Sequence, residues 1–187
     1  GLAHSALEFA NAYGWGYVGG KPTLERWRLN FPIAHRETLL ATANEYDVDP
    51  FLALALAKQE STFRATVVSS AGATGVMQLM PATAKWLVSA DATISADHGA
   101  DLNSPINSWR LGICYLRRMV NRSNGNLIHA LASYNAGPGN LDKWRVRFPN
   151  HEVDEFIEAI PFNETKDYVK KVLGNYAAYH SLYPPIK

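Results

Sequence analysis

The run Phe51-Leu52-Ala53-Leu54-Ala55-Leu56-Ala57 does most to constrain what this chain can fold into. Asp49 and Pro50 precede it, an N-cap residue followed by a proline suited to the first helical position. Together they predict a helix from Pro50 to near Glu60. A helix with apolar residues all round has no face to give to water, so the rest of the chain must surround it. Alternating polar and apolar residues of the β kind are nearly absent, and helical periodicity recurs along the chain. The expected fold class is all-α.

Other helices can be placed by the same signals. One is expected from about Ile33 to Tyr46 and another from Pro81 to about Ala90, opened by its proline. Ser104-Pro105 repeats the cap-plus-proline signal before a helix to about Val120. Asn126 or Leu127 to Asn135 is helical and ends at Gly137-Pro138-Gly139. A short helix is expected from Asn140 to Phe148, one or two turns from Asp154 to Ala159, and a long last helix from Asn163 to about Tyr183. Val67 to Gly75, small and glycine-containing, reads as an ordered loop. At the N-terminus, Leu2, Ala6, Phe9, Ala10 and Tyr13 share a helical face before Gly14, Gly16, Gly19 and Gly20 break the pattern. Residues 1–21 are therefore expected to be a helical appendage and linker, the tail of an upstream region. Residues 22–187 are expected to form the functional domain.

Composition narrows the function classes. The chain has 187 residues, with 47% hydrophobic and 19% charged, which suits one globular domain with a real core. A net charge of +1 gives no electrostatic argument for nucleic acid. Cys114 is the one cysteine, so neither an intramolecular disulfide nor a thiolate metal site is expected. It lies in a mostly apolar stretch and reads as a small buried hydrophobe. The six histidines stand at no metal-ligand spacing, and Gly-x-Ser-x-Gly and phosphate-loop motifs are missing. No metal or cofactor is expected. No stretch approaches the roughly 18 apolar residues of a membrane-spanning helix. The opening Gly1-Leu-Ala-His-Ser-Ala lacks the basic and apolar parts of an export signal, which suits a mature form or an excised fragment.

Glu60 carries the chemical interest. A carboxylate closing such an apolar run is partly desolvated, and a helix C-terminus adds partial negative charge. Both effects disfavour the anion and lift the pKa above the usual value of about 4.3, toward a proton donor usable at neutral pH. The acids nearest to Glu60 on the N-terminal side stand well apart from it. Glu45, Asp47 and Asp49 lie at the far end of the Glu60 helix, about 15 Å away at 1.5 Å per residue.

Four motif blocks then follow in order: Gln59-Glu60-Ser61, Gly75-Val-Met-Gln-Leu-Met-Pro81, Tyr134-Asn135-Ala-Gly137, and Ile160-Pro-Phe with Glu164-Thr and Tyr168-Val. In these blocks the chain resembles the catalytic domain of the soluble lytic transglycosylases, relatives of goose-type lysozyme that cleave bacterial peptidoglycan. The likeness runs from roughly Leu29 to Tyr183. It implies a lysozyme-like helical fold, peptidoglycan glycan strands and possibly their peptide stems as partners, and a periplasmic location. It also implies non-hydrolytic cleavage. Glu60 would protonate the glycosidic oxygen while the sugar's N-acetyl oxygen stabilises the anomeric carbon. Glu60, now an anion, would take the proton of the C6 hydroxyl as that oxygen closes onto C1, leaving a 1,6-anhydro end.

The resemblance assigns further residues. Tyr134 is placed beside Glu60, holding its orientation. Ser69 is the loop hydroxyl that contacts sugar, and Gln78 and Met80 line the cleft. Gly72 and Gly75 permit positive φ and close approach of backbone to ligand. Met77 reads as core. Asn135 belongs to the substrate side and braces the loop. Glu164 suits the first turn of its helix on dipole grounds alone, and the resemblance adds contact with the amine of the peptide stem. Some positions depart from the family pattern. Ser104-Pro105 and Ser108-Trp109 stand where Asp-Pro and Asn-Ile are common, with little consequence expected. Ser133 replaces a usual Ala. Lys166 replaces a usual Arg, which removes a bidentate donor. Two other functions remain open at this point: a goose-lysozyme-like hydrolase, which needs a base and a water, and a non-catalytic peptidoglycan-binding module.

Overall fold

The helix built on the apolar run lies at the centre of the molecule. The computed structural model describes residues 24–90, 94, 101–149 and 152–186. Among the described residues the helices are α1 (Leu24–Asn30), α2 (Arg36–Glu45), α3 (Pro50–Ser61), α4 (Pro81–Ala90), α5 (Pro105–Arg122), α6 (Leu127–Ala136), α7 (Pro138–Arg147), α8 (Val153–Ala159) and α9 (Asn163–Leu182). The only β pairing among them is isolated, Val68 with Thr74 and Thr74 with Leu79. The all-α expectation holds. The N-terminal helix and the boundary at residue 21 fall outside the described residues. Helix α1 is an addition that the sequence patterns did not suggest. Helix α7 begins two residues earlier than expected, because Pro138 takes its first position.

Three of the start signals are visible as hydrogen bonds. Asp49 accepts from the Phe51 N–H at 2.8 Å, Ser104 from Asn107 at 3.5 Å and Asn126 from His129 at 3.0 Å. Such caps are worth about 1 kcal/mol each. From Phe51 to Ala57, no residue of α3 is more than 3% exposed. Burying Leu52, Leu54 and Leu56 contributes roughly 2 kcal/mol apiece.

The long helix α9 packs along α3, and α6 packs on both α9 and α5. Polar bonds fix the α3–α9 register. Asn175 donates to the Ala55 carbonyl at 3.3 Å, and the Tyr176 hydroxyl donates to Asp49 at 2.6 Å. Near the start of the described chain, Tyr179 and Tyr183 donate to the carbonyls of Pro32 and Phe31 at 2.9 and 2.8 Å. The register matters for function because it decides which residue of α9 meets the end of α3.

Candidate active site

Helix α3 delivers Glu60 in its last turn, half-buried, and then stops sharply. Thr62 and Phe63 both take left-handed φ, at 52° and 64°, with the Thr62 N–H bonded to the Lys58 carbonyl. Two consecutive non-glycine residues in that region are uncommon, and Thr62 is β-branched. Such backbone strain is often found at functional sites. The adjacent Ser61 hydroxyl donates to the Val76 carbonyl at 2.8 Å, tying the end of α3 to the loop between Val67 and Met80.

Helix α9 meets this end with Tyr168, whose hydroxyl donates to Oε1 of Glu60 at 2.7 Å. The Glu60 pKa is raised from an ordinary 4.5 to about 7. Burial is the larger cause. The Tyr168 hydrogen bond opposes it by favouring the anion, and the negative charge of Glu164 adds to the rise. Glu164 is exposed in the first turn of α9, one helical turn before Tyr168 and on the same face. Among the described groups that shift Glu60, it is the one carboxylate.

Tyr134 requires a correction. It is buried beside Glu60, and the charge of Glu60 helps raise its pKa well above 10 after burial. Its hydroxyl, however, donates to the Met77 carbonyl at 2.9 Å rather than to Glu60. A phenol has one proton to give, and here it is spent on the loop. The hydrogen bond to Glu60 belongs to Tyr168, a residue present in the sequence motif but given no role there. A signal was available: Tyr168 stands four residues after Glu164, on the same helical face.

The loop residues divide into shapers and exposed groups. At Gly75, φ is +84°, and an added Cβ would press on the Leu102 carbonyl and lie 2.6 Å from Ser108 Oγ. Its N–H goes to the Val67 carbonyl at 3.0 Å, and its own carbonyl accepts from the N–H and side chain of Gln78. On its Cβ side Gly75 thus packs against protein, and its N–H and carbonyl are bonded within the loop. Gln78 donates both amide hydrogens inside the loop, to Val67 at 2.9 Å and Gly75 at 2.8 Å. Only its side-chain oxygen is left to face outward. The Ser69 hydroxyl accepts from the Ala73 N–H at 3.0 Å and keeps a hydrogen to donate. Met80 is 42% exposed, whereas Met77 is fully buried, as expected.

Ser108, expected to be of little consequence, is buried and accepts from the Met77 N–H at 3.1 Å. Asn135 accepts from the Thr165 hydroxyl at 2.7 Å and so braces α6 against α9. Lys166 lies 3.6 Å from Glu158, which also pairs with Lys170. Among the described residues, no cluster of three or more His, Cys, Asp or Glu could hold a metal ion. No described helix is long and apolar enough to cross a membrane.

The geometry is a single half-buried acid near its midpoint at neutral pH, hydrogen-bonded by a buried tyrosine and floored by a braced glycine loop. A family model of the Transglycosylase SLT domain matches residues 37–157. The chain belongs to this family. The SLT domain here is 35% identical over 151 residues to the soluble lytic murein transglycosylase of Salmonella typhimurium, covering 80% of this chain and 23% of that protein. It thus spans about a quarter of the length of the curated relatives it matches. Its fold is shared with an inactive variant of the Pseudomonas aeruginosa lytic transglycosylase Slt, at TM-score 0.71 and 30% identity, over 98% of this chain and 31% of that one. A complex of a 70-kDa soluble lytic transglycosylase with bulgecin A superposes at TM-score 0.79 and 28% identity, over 96% and 28% of the two chains.

Proposed function

We propose that this SLT domain is a peptidoglycan lytic transglycosylase acting on the β-1,4 bond between N-acetylmuramic acid and N-acetylglucosamine. The observation that carries the reading is Glu60, held near its midpoint at about pH 7 with one phenol on its carboxylate. A single group in that state can give a proton and take one back. In the first step neutral Glu60 protonates the glycosidic oxygen. The C1–O bond breaks, and the substrate's N-acetyl oxygen bonds to C1. In the second step the Glu60 anion removes the C6 hydroxyl proton. The C6 oxygen bonds to C1 and displaces the acetamido oxygen. Glu60 ends neutral, no water is consumed, and the product carries a 1,6-anhydro ring. The Tyr168 hydrogen bond favours the anion between the two steps.

On this reading the Ser69 hydroxyl, Met80 and the Gln78 side-chain oxygen face the glycan, and Gly75 shapes the loop that carries them. Tyr134 holds that loop from below, and Asn135 holds the start of α9. Glu164 takes the amine of a peptide stem. The inactive variant of the Pseudomonas aeruginosa enzyme supports the general scheme, because it carries one glutamate-to-glutamine change. The domain would work where its substrate lies, in the periplasm. A hydrolytic alternative draws on Glu164, an exposed carboxylate whose charge reaches Glu60. It would need Glu164 to activate a water. Mass spectra of purified peptidoglycan after digestion separate the readings. Fragments lighter by one water than hydrolysis products support the transglycosylase, and reducing ends without anhydro sugar overturn it.

A further inference from the structure

The start of α9 has an unusual residue for its position. Helices α3, α5 and α6 begin with Asp49, Ser104 and Asn126, each of which caps the helix with its side chain. The 20-residue α9 begins with Phe162 at the N-cap and has no side-chain cap bond. A phenyl ring satisfies none of the orphan N–H groups there, where Ser, Asp or Asn would stabilise the helix. Burial does not account for the choice, because Phe162 remains 47% exposed.

The ring is nonetheless held. The Trp144 ring meets it edge to face, with centroids 5.2 Å apart and planes at 88°. Trp144 is itself only 5% exposed, so it is a fixed support. The Phe162 carbonyl accepts from the Lys166 N–H at 2.9 Å, which fixes the backbone beneath the ring. Two residues further on stands Glu164, whose charge reaches Glu60. Tyr168, bonded to Glu60, is roughly 9 Å along the helix axis. A supported, half-open aromatic ring thus sits at the start of the helix that brings Glu164 and Tyr168 to the acid.

We propose that Phe162 is a stacking platform for the apolar face of an N-acetylhexosamine ring of the glycan, set beside the bond that Glu60 cleaves. The inference rests on the glycan-cleaving reading above. A phenyl ring has no polar handle, so what it recognises is a flat apolar surface. The axial C–H groups of a β-linked pyranose present one. The indole edge keeps the phenyl ring in place before the ligand arrives, so little side-chain freedom is lost on binding.

The test is calorimetric binding of an N-acetylglucosamine oligomer, free of peptide, to a Glu60→Gln parent. Phe162→Asn supplies a capping side chain and removes the ring. It should leave the melting temperature equal or higher while weakening binding roughly ten-fold. Phe162→Tyr should bind like the parent. Phe162→Leu keeps apolar bulk without the flat ring and should also bind weakly. Parental affinity in Phe162→Asn or Phe162→Leu overturns the proposal. So does an affinity loss confined to peptide-bearing fragments, which would assign the ring to the stem. If the parent binds no oligomer at all, the glycan-cleaving reading itself fails and takes this inference with it.

Discussion

The Tyr168 hydroxyl and the Glu60 carboxylate are joined by a 2.7 Å hydrogen bond between residues 108 positions apart. The bond opposes the burial that lifts the Glu60 pKa, so it sets how readily the acid, once spent, becomes a base.

Removing that hydroxyl should shift the chemistry rather than the fold. In Tyr168→Phe, Glu60 loses a bond that favours its anion, so its pKa should climb above about 7. The corresponding limb of the pH–rate profile should move to higher pH. Turnover at neutral pH should fall about ten-fold, from a bond worth roughly 1 kcal/mol or somewhat more when charge-assisted. Tyr134→Phe should behave differently, because it leaves the Met77 carbonyl buried without its donor. That should cost about 1–3 kcal/mol of stability with a smaller movement of the profile. Denaturant titrations beside pH–rate profiles distinguish the two. A larger pH shift from Tyr134→Phe would reverse the assignment.

Glu60→Gln should abolish turnover and flatten the stability–pH curve. A carboxyl whose folded pKa is raised holds its proton in the folded state after the unfolded chain has lost it. Wild-type stability should therefore decline between about pH 4.5 and 7 and level off above. At roughly 1.4 kcal/mol per pH unit the decline is at most about 3 kcal/mol. The Gln variant lacks this slope. Melting temperatures at pH 4 and pH 8 measure it, and a variant that declines as the wild type does would contradict the shifted pKa.

Glu164→Gln removes a negative charge that acts on Glu60, so the apparent pKa of the acid should fall. Because Glu164 is exposed, its field is open to screening. Raising ionic strength should move the wild-type profile in the same direction and leave the variant nearly still. A pH–rate profile indifferent to both changes would remove Glu164 from the electrostatics of the site.

Two loop glycines should respond unequally to alanine. Gly75→Ala meets both a φ of +84° and a collision with Leu102 and Ser108, so a loss of about 3 kcal/mol or more is expected. Gly72→Ala has a φ of +88° but open space around the new methyl, and about 1 kcal/mol is expected. Thermal unfolding of the two variants checks the contrast.

Local signals were enough for most of the helices. The Asp49-Pro50 and Ser104-Pro105 starts, the apolar α3 and the raised acid at its end all follow from residues adjacent in the chain. Caps, proline positions and desolvation by an apolar run act over one or two turns, so they can be read along a string of residues. The partners of each polar atom could not. Tyr134 and Tyr168 are both buried phenols near Glu60, and nothing local says which one bonds it. The register of α9 on α3, fixed by contacts such as Asn175 with Ala55 and Tyr176 with Asp49, brings Tyr168 to the carboxylate and leaves Tyr134 to Met77. The glycine loop makes the same point. A positive φ at Gly75 was foreseeable from its residue type. That its Cβ side packs against Leu102 and Ser108 was decided by the packing of distant segments, because a hydrogen bond or a contact depends on distance in space and not on separation along the chain.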